Sequence, residues 1–302
     1  MTAKHILIVG YGEMGRAMEY LLAQRHTLSF WNRSPMPGHA CADLERCAGS
    51  IDYLVYCVPV SPLASLVERI LPHLAPHAVS LSVAKGLDDS GRPAAQIFHD
   101  VYGARRGYAV LYGPMISEEI RAGRPAFAQV GTSDPGLFSG IDALYAPTAL
   151  TLQYSEDLAG VSWSSVLKNV YAMLFGAADE TGLGDNVRGC LTVAALHEMQ
   201  AIVVRLGGLE ATPCQLAGLG DLVTTATSEA SHHHQLGRQL ARGERQALQG
   251  EGIHTLAMIR QFGLLAVGDF PLFRLVQQLV DDPVDTERRI RDFLAAAVKN
   301  EK

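Results

Sequence analysis

The chain has 302 residues, 48% of them hydrophobic and 19% charged, with 29 glycines and 14 prolines. That balance suits a folded protein of about two domains and excludes a stapled miniprotein, a fibre or a disordered tail. Lysine plus arginine number 25 against 31 acidic residues, a net charge of -6, so no global field draws the chain to nucleic acid or an anionic membrane, and an anionic ligand needs a local cluster.

The first element is the run His5-Ile6-Leu7-Ile8-Val9, a buried strand that begins without the charged, apolar and cleavable regions of a signal peptide. It leads into Gly10-Tyr11-Gly12-Glu13-Met14-Gly15, a G-x-G-x-x-G between a strand and a helix, which is the setting in which this pattern binds a dinucleotide. Gly10 allows the tight turn. Gly12 lets a pyrophosphate approach backbone N–H groups at the positive end of the helix, and Gly15 lets the helix lie against the sheet. A second strand, 27–31, ends at Asn32-Arg33-Ser34, where an NAD-specific domain commonly carries an acidic residue for the ribose 2′-hydroxyl. Arg33 instead offers a rigid fork to a 2′-phosphate, favouring NADP over NAD, unless it is a solvated loop charge.

Further short β-branched runs at 53–58, 79–83, 108–111 and 127–130 alternate with amphipathic helices such as 14–25 and 63–74. Apolar strands separated by helices predict a parallel sheet covered on both faces, a doubly wound Rossmann domain over residues 1–154. Pro59 closes the third run at the edge where a nicotinamide ribose would pass, a position equally consistent with simple strand termination. From 155 to 302 the periodicity is helical almost throughout, at 158–180, 187–206, 234–242, 253–262, 271–280 and 286–299, which predicts an all-helical second domain. The most apolar stretch, 161–178, is interrupted by Ser164, Ser165, Lys168 and Asn169, so no window reaches the roughly 18 apolar residues of a membrane span.

Lys168 stands out, because a lysine inside an apolar helix needs a carboxylate partner, a lowered pKa or a route to the surface along its aliphatic stem. The five cysteines, Cys41, Cys47, Cys57, Cys190 and Cys214, include no C-x-x-C pair, which argues against disulfides or structural zinc and for a reducing cytoplasm. Cys190 and Cys214 have no activating neighbours and are expected to be buried packing. His197-Glu198 lies mid-helix without a second ligand pair and reads as structural.

The order of motifs resembles the NAD(P)-dependent glycerol-3-phosphate dehydrogenase family along nearly the whole chain. The matching segments are Gly10 to Gly15, Val83-Ala84-Lys85-Gly86-Leu87, Gly113-Pro114, Leu167-Lys168-Asn169-Val170, Gly184-Asp185-Asn186, Gly218-Leu219-Gly220-Asp221-Leu222, Ser231 with Gly237, and Gly250-Glu251-Gly252 with Thr255. The resemblance implies a hydride-transferring oxidoreductase acting on glycerol 3-phosphate and dihydroxyacetone phosphate in the supply of phospholipid precursors. It makes Lys168 the general acid and base at the substrate oxygen, Lys85 a second cation touching substrate and cofactor, and Asp221 the carboxylate that orients the lysines. Gly113, Asn169 and Thr225 would join the substrate pocket, and Glu251 would lie near the cofactor ribose beside Glu13, Met14, Asn32 and Pro59. Asn186 is either a cofactor contact or a helix cap.

The chain departs from the family at three positions of the presumed pocket. Where the family's substrate-phosphate loop carries Ser-Arg-Asn-Arg the chain has Ser231-His232-His233-His234, so His232 stands for the key arginine and His233 for the asparagine, and Met115 follows Gly113-Pro114 where a small hydroxyl residue is usual. The histidines could hold phosphate as imidazolium, mark a different small hydroxy or keto compound, or bind a metal, the last disfavoured because adjacent histidines point in different directions. No metal is expected, a homodimer is plausible from the apolar helical half, and a non-catalytic nucleotide sensor is the alternative outside enzymes.

Overall fold

The computed structural model describes residues 2–36, 38–228, 231–244 and 249–297. The chain divides into two compact units, Met1–Ser162 and Trp163–Lys302.

The first unit is a seven-stranded sheet of β1 (His5–Val9), β2 (Thr27–Trp31), β3 (Tyr53–Tyr56), β4 (Val79–Ser82), β5 (Tyr108–Tyr112), β6 (Ala126–Gly131) and β7 (Leu150–Ser155), in the order β2-β1-β3-β4-β5-β6-β7. Between the strands run α1 (Glu13–Leu22), α2 (Leu44–Ala48), α3 (Leu63–Ile70), α4 (Ala94–Tyr102), α5 (Ser117–Arg121) and α6 (Pro135–Tyr145). β1 from Ile6 onward, β3 and β4 are built of aliphatic, aromatic or small residues because both faces of the sheet are covered; Ile6 to Val9 and Leu54 to Tyr56 are fully buried. The first five strands are parallel, as the alternation of runs and helices predicts.

The wholly parallel expectation fails at β6, which pairs antiparallel with β5. The cause is local. After Tyr112 the chain doubles back at Gly113, where a Cβ would lie 2.6 Å from the Phe127 carbonyl oxygen, and the Phe127 N–H donates to Pro114 O at 3.2 Å. The connection holds only the five-residue α5, too little to cross over the sheet to a parallel start. β7, which the periodicity did not mark as a strand, pairs parallel to β6 through α6. As the edge strand it is only partly buried and shows no apolar run. Met115 lies in the core of this unit at 7% exposure.

The second unit is helical: α7 (Leu158–Glu180), which starts shortly before the unit boundary, α8 (Asp185–Arg205), α9 (Asp221–Thr227), α10 (His232–Ala241), α11 (Glu251–Phe262), α12 (Pro271–Asp281) and α13 (Thr286–Ala297). α7 is buried on every side from Gly160 to Ala178, which is why its sequence has no polar face. It crosses α10 at backbone contact. A Cβ on Gly176 would sit 1.9 Å from His234 O, and one on Gly237 would sit 1.8 Å from Met173 O, so both helices need glycine at the crossing. α8 is long and apolar enough by composition to cross a membrane, yet its Glu198 is a packing residue. Its carboxylate accepts from the Leu272 and Phe273 N–H groups at 2.6 and 2.8 Å and from the Tyr171 hydroxyl at 2.9 Å, capping α12. The expectation for Cys190 and Cys214 is corrected: both are exposed, on the outer side of α8 and in the turn before residue 215.

Candidate active site

The glycine turn leaves β1 where the strand order reverses between β1 and β3, the place where open α/β sheets bind ligands. The Cys57 N–H donates to Val9 O at 2.7 Å, holding the two carboxyl ends side by side. Gly10 has φ +98°, and a Cβ there would lie 2.6 Å from Cys57 O. A Cβ on Gly15 would lie 2.2 Å from Gly10 O, so both glycines are demanded by the protein's own packing. Gly12 differs: it is exposed, precedes α1 as its N-cap, and has no protein atom within 4 Å of a Cβ position. Nothing in the fold requires glycine there, which fits a ligand approaching the backbone at the start of a helix. Beside it, Glu13 is exposed and paired with Arg16 and Arg121, while Met14 packs against the sheet core.

Asn32 ties the end of β2 to the turn, its Oδ1 accepting from the Tyr11 N–H at 3.3 Å and its Nδ2 donating to Ser34 O at 3.0 Å. Trp31, Asn32, Arg33, Val58, Pro59 and Asp89 are among the residues lining an open cavity of about 680 Å³, a volume suited to a drug-sized or nucleotide ligand. Arg33 is exposed at its rim. Asp89 faces Ser61, whose hydroxyl donates to it at 3.0 Å; no sequence pattern marked this pair. Elsewhere in this unit the Lys85 Nζ donates to Gly113 O at 3.3 Å, bringing together two residues 28 positions apart.

In the second unit Lys168 is 5% exposed and does not reach the surface. Its Nζ donates to Thr225 Oγ1 at 2.7 Å and lies 3.2 Å from Asp221 Oδ1. The Thr225 hydroxyl donates onward to Asp221 at 3.5 Å. Asp221 and Thr225 share one face of α9, four residues apart, and a π-helical turn at Leu216–Gly220 delivers Asp221 to the first position of that helix. A buried ammonium is thus compensated by a carboxylate as buried as itself. Asn169, 2% exposed, leaves its Oδ1 buried with no hydrogen-bond partner among the described residues, an acceptor for a ligand's hydroxyl or amide.

Ser231 caps α10, its Oγ accepting from the His234 N–H, so the N–H groups of His232 and His233 open the helix as donors. His232 Nε2 donates to Gln249 O at 2.8 Å, leaving Nδ1 for any ligand. His234 points the other way: it is buried, its Nε2 lies 2.7 Å from Asp179 Oδ2, and it belongs to the helix packing. Glu251 starts α11 between two glycines. A Cβ on Gly250 would be 3.0 Å from His232 Nε2, and one on Gly252 would be 2.8 Å from Asn169 O, so this turn spans the histidines and the Lys168 helix. Burial pushes the Glu251 carboxyl up to about 7. Asn186 is exposed in the first turn of α8. Among the described residues no group of three or more His, Cys, Asp or Glu side chains is placed to hold a metal ion.

Residues 35–137 match the family described as NAD-dependent glycerol-3-phosphate dehydrogenase N-terminus, and residues 157–291 match its C-terminus. The glycerol-3-phosphate dehydrogenase [NAD(P)+] of Thermosynechococcus vestitus is 32% identical, over 98% of this chain and 97% of its own. That of Agrobacterium fabrum is 27% identical over 100% of each. The crystal structure of glycerol-3-phosphate dehydrogenase from Coxiella burnetii superposes with a TM-score of 0.85 at 22% identity, covering 97% of this chain and 99% of that one, and establishes the shared fold.

Proposed function

The chain belongs to the NAD-dependent glycerol-3-phosphate dehydrogenase family, and from that membership we propose that it interconverts glycerol 3-phosphate and dihydroxyacetone phosphate with NADP(H) or NAD(H). The observation that carries the reading is Lys168, an ammonium buried against Asp221 and Thr225 on the helices of the second unit. The dinucleotide, when bound, supplies or accepts the hydride. As hydride reaches the ketone carbon, negative charge grows on the carbonyl oxygen; Lys168 Nζ meets it and gives up a proton, and in the reverse direction the same amine takes that proton back. Asp221, 3.2 Å from the Lys168 Nζ, aims it, and Thr225, accepting from it at 2.7 Å, fixes the side chain between them. Asn169 Oδ1 accepts from a substrate or cofactor donor.

The glycine turn, with Gly10, Gly12 and Gly15, Glu13 and Met14 at the start of α1, and Pro59 at the end of β3, supports dinucleotide binding in the first unit. Arg33 beside Asn32 supports a preference for the 2′-phosphate of NADP. Lys85, whose Nζ donates to Gly113 O, offers a cation to a ligand of the first unit, and Glu251 offers a hydrogen-bonding carboxyl to a ligand of the second. The substrate phosphate is taken by Ser231, His232 and His233: the N–H groups that open α10 are donors in place of the arginine that the family resemblance implies, and protonated imidazoles add the charge.

The test is oxidation of NADPH, then NADH, with dihydroxyacetone phosphate across about pH 5.5–8.5, the span of imidazole titration. Turnover with KM for the ketone rising towards high pH supports the reading. Cofactor binding with no turnover of this ketone overturns the substrate and turns the search to other small ketones, which the replaced arginine motivates. The reading extends to a cytoplasmic enzyme, where five free cysteines persist as thiols, feeding glycerophospholipid synthesis. It also extends to a homodimer, supported by Val193 and Val204 standing about half exposed on α8 and tested by sedimentation.

A further inference from the structure

Tyr11 occupies the variable position between the first two glycines of the turn, where a large side chain has no part in phosphate binding. Its ring nonetheless folds back between Phe30 of β2 and His39, with centroids 5.3 and 4.9 Å away. The phenol donates to the carboxylate of Glu19 on α1. Its oxygen lies 2.8 Å from His39 Nε2, and that nitrogen is 3.1 Å from Glu19 Oε1. With the phenol proton committed to Glu19, the Nε2–H of His39 is the donor that closes the triangle. At the other end of the same segment Asn32 holds the Tyr11 N–H, and the Ala42 N–H donates to Phe30 O at 2.7 Å. Burial and the Glu19 hydrogen bond push the phenol up to about 12, so it keeps its proton at any working pH.

We propose that Tyr11, Glu19 and His39 are positioning residues that clamp the segment after β2 onto the glycine turn, holding the Asn32–Arg33 end and the phosphate turn of the dinucleotide site as one preformed unit. The proposal rests on the reading of this turn as the cofactor site. Without the clamp the two pieces must be ordered each time the dinucleotide binds, which weakens binding and leaves the chemical step alone.

The experiment titrates NADPH into the purified protein by fluorescence and measures kcat and KM for each substrate. Tyr11→Phe and His39→Ala are expected to raise the NADPH Kd about tenfold, the order of one lost charge-assisted hydrogen bond. At saturating NADPH, kcat should stay within about twofold of wild type. His39→Gln, which restores an N–H at similar reach, should recover most of the affinity. An unchanged Kd in both Tyr11→Phe and His39→Ala, or a fall in kcat with Kd unchanged, overturns the clamp. Gly12→Val separates the two readings. If it abolishes NADPH binding while Tyr11→Phe has no effect, the clamp alone fails; if it binds NADPH like wild type, the cofactor turn itself is wrong and the clamp falls with it.

Discussion

Replacing Asp221 by asparagine strips the carboxylate from an ammonium with nowhere to go. The two side chains are 5% and 6% exposed and 3.2 Å apart, so neither is screened by water in the way that makes surface pairs nearly worthless. Removing one partner of such a buried pair costs about 3–5 kcal/mol, because the remaining charge keeps its desolvation penalty and loses its compensation. At roughly 3 °C per kcal/mol for a unit of this size, the helical unit should melt about 10–15 °C lower. Lys168→Met should be comparably destabilising, because it leaves the carboxylate in the same position. The double variant Lys168→Met/Asp221→Leu, which buries hydrocarbon in place of both charges, should melt well above either single variant. Differential scanning calorimetry of the four proteins at neutral pH reads this directly. A shift under about 2 °C for Asp221→Asn, or a double variant no better than the singles, would refute the claim that the lysine is held as a buried ion pair.

The glycines of the turn make a paired prediction. Gly15→Ala puts a Cβ 2.2 Å from the Gly10 carbonyl oxygen and should lower the melting temperature, whereas Gly12→Ala meets no protein atom and should leave stability intact while weakening NADPH binding, as calorimetry and titration of both variants will show. Arg33→Ala should raise KM for NADPH ten- to hundredfold, the order of a lost charge-assisted pair, with KM for NADH little changed; equal effects on both would return Arg33 to the status of a loop charge. For Glu251 the sign is set by its raised carboxyl. The folded state holds the proton up to about pH 7 and the unfolded state releases it near 4.5, so stability falls as pH rises through that window. Glu251→Gln should therefore melt higher than wild type at pH 8 and no higher at pH 4.5, and equal melting temperatures at both values would sink the assignment.

The features legible in the sequence were those written in a local code. The strand β1, the glycine turn and the long helix around Lys168 announce themselves through periodicity and spacing. The reversal at Gly113 was not legible, because one glycine inside an ordinary loop carries no sign that a strand will come back antiparallel. β7 was missed since an edge strand needs no continuous apolar run. Lys168 could be singled out as an anomaly, but its partners lie 53 and 57 residues downstream, and only packing brings Asp221 and Thr225 to it. The sequence set His232 and His233 apart from His234 only by their alignment in the loop; the physical difference, that α10 turns His234 inward to Asp179 at 2.7 Å, comes from helix packing that no local pattern announces. Tyr11 gave no signal at all, because the pattern it sits in is defined by the residues on either side of it.

The glycine crossing of α7 and α10 bears on how this enzyme could change its diet. With Gly176 and Gly237 locking two backbones together, α10 can neither slide nor tilt without colliding with the helix that carries Lys168. On the proposed reading, the head of α10 is the socket for the substrate phosphate, with its address set by the crossing and its taste set by Ser231, His232 and His233. If that reading holds, exchanging the residues at His232 and His233, to arginine or to something uncharged, should alter what is gripped without moving the grip away from Lys168. A library restricted to those two positions is the economical route to new ketone substrates on this scaffold.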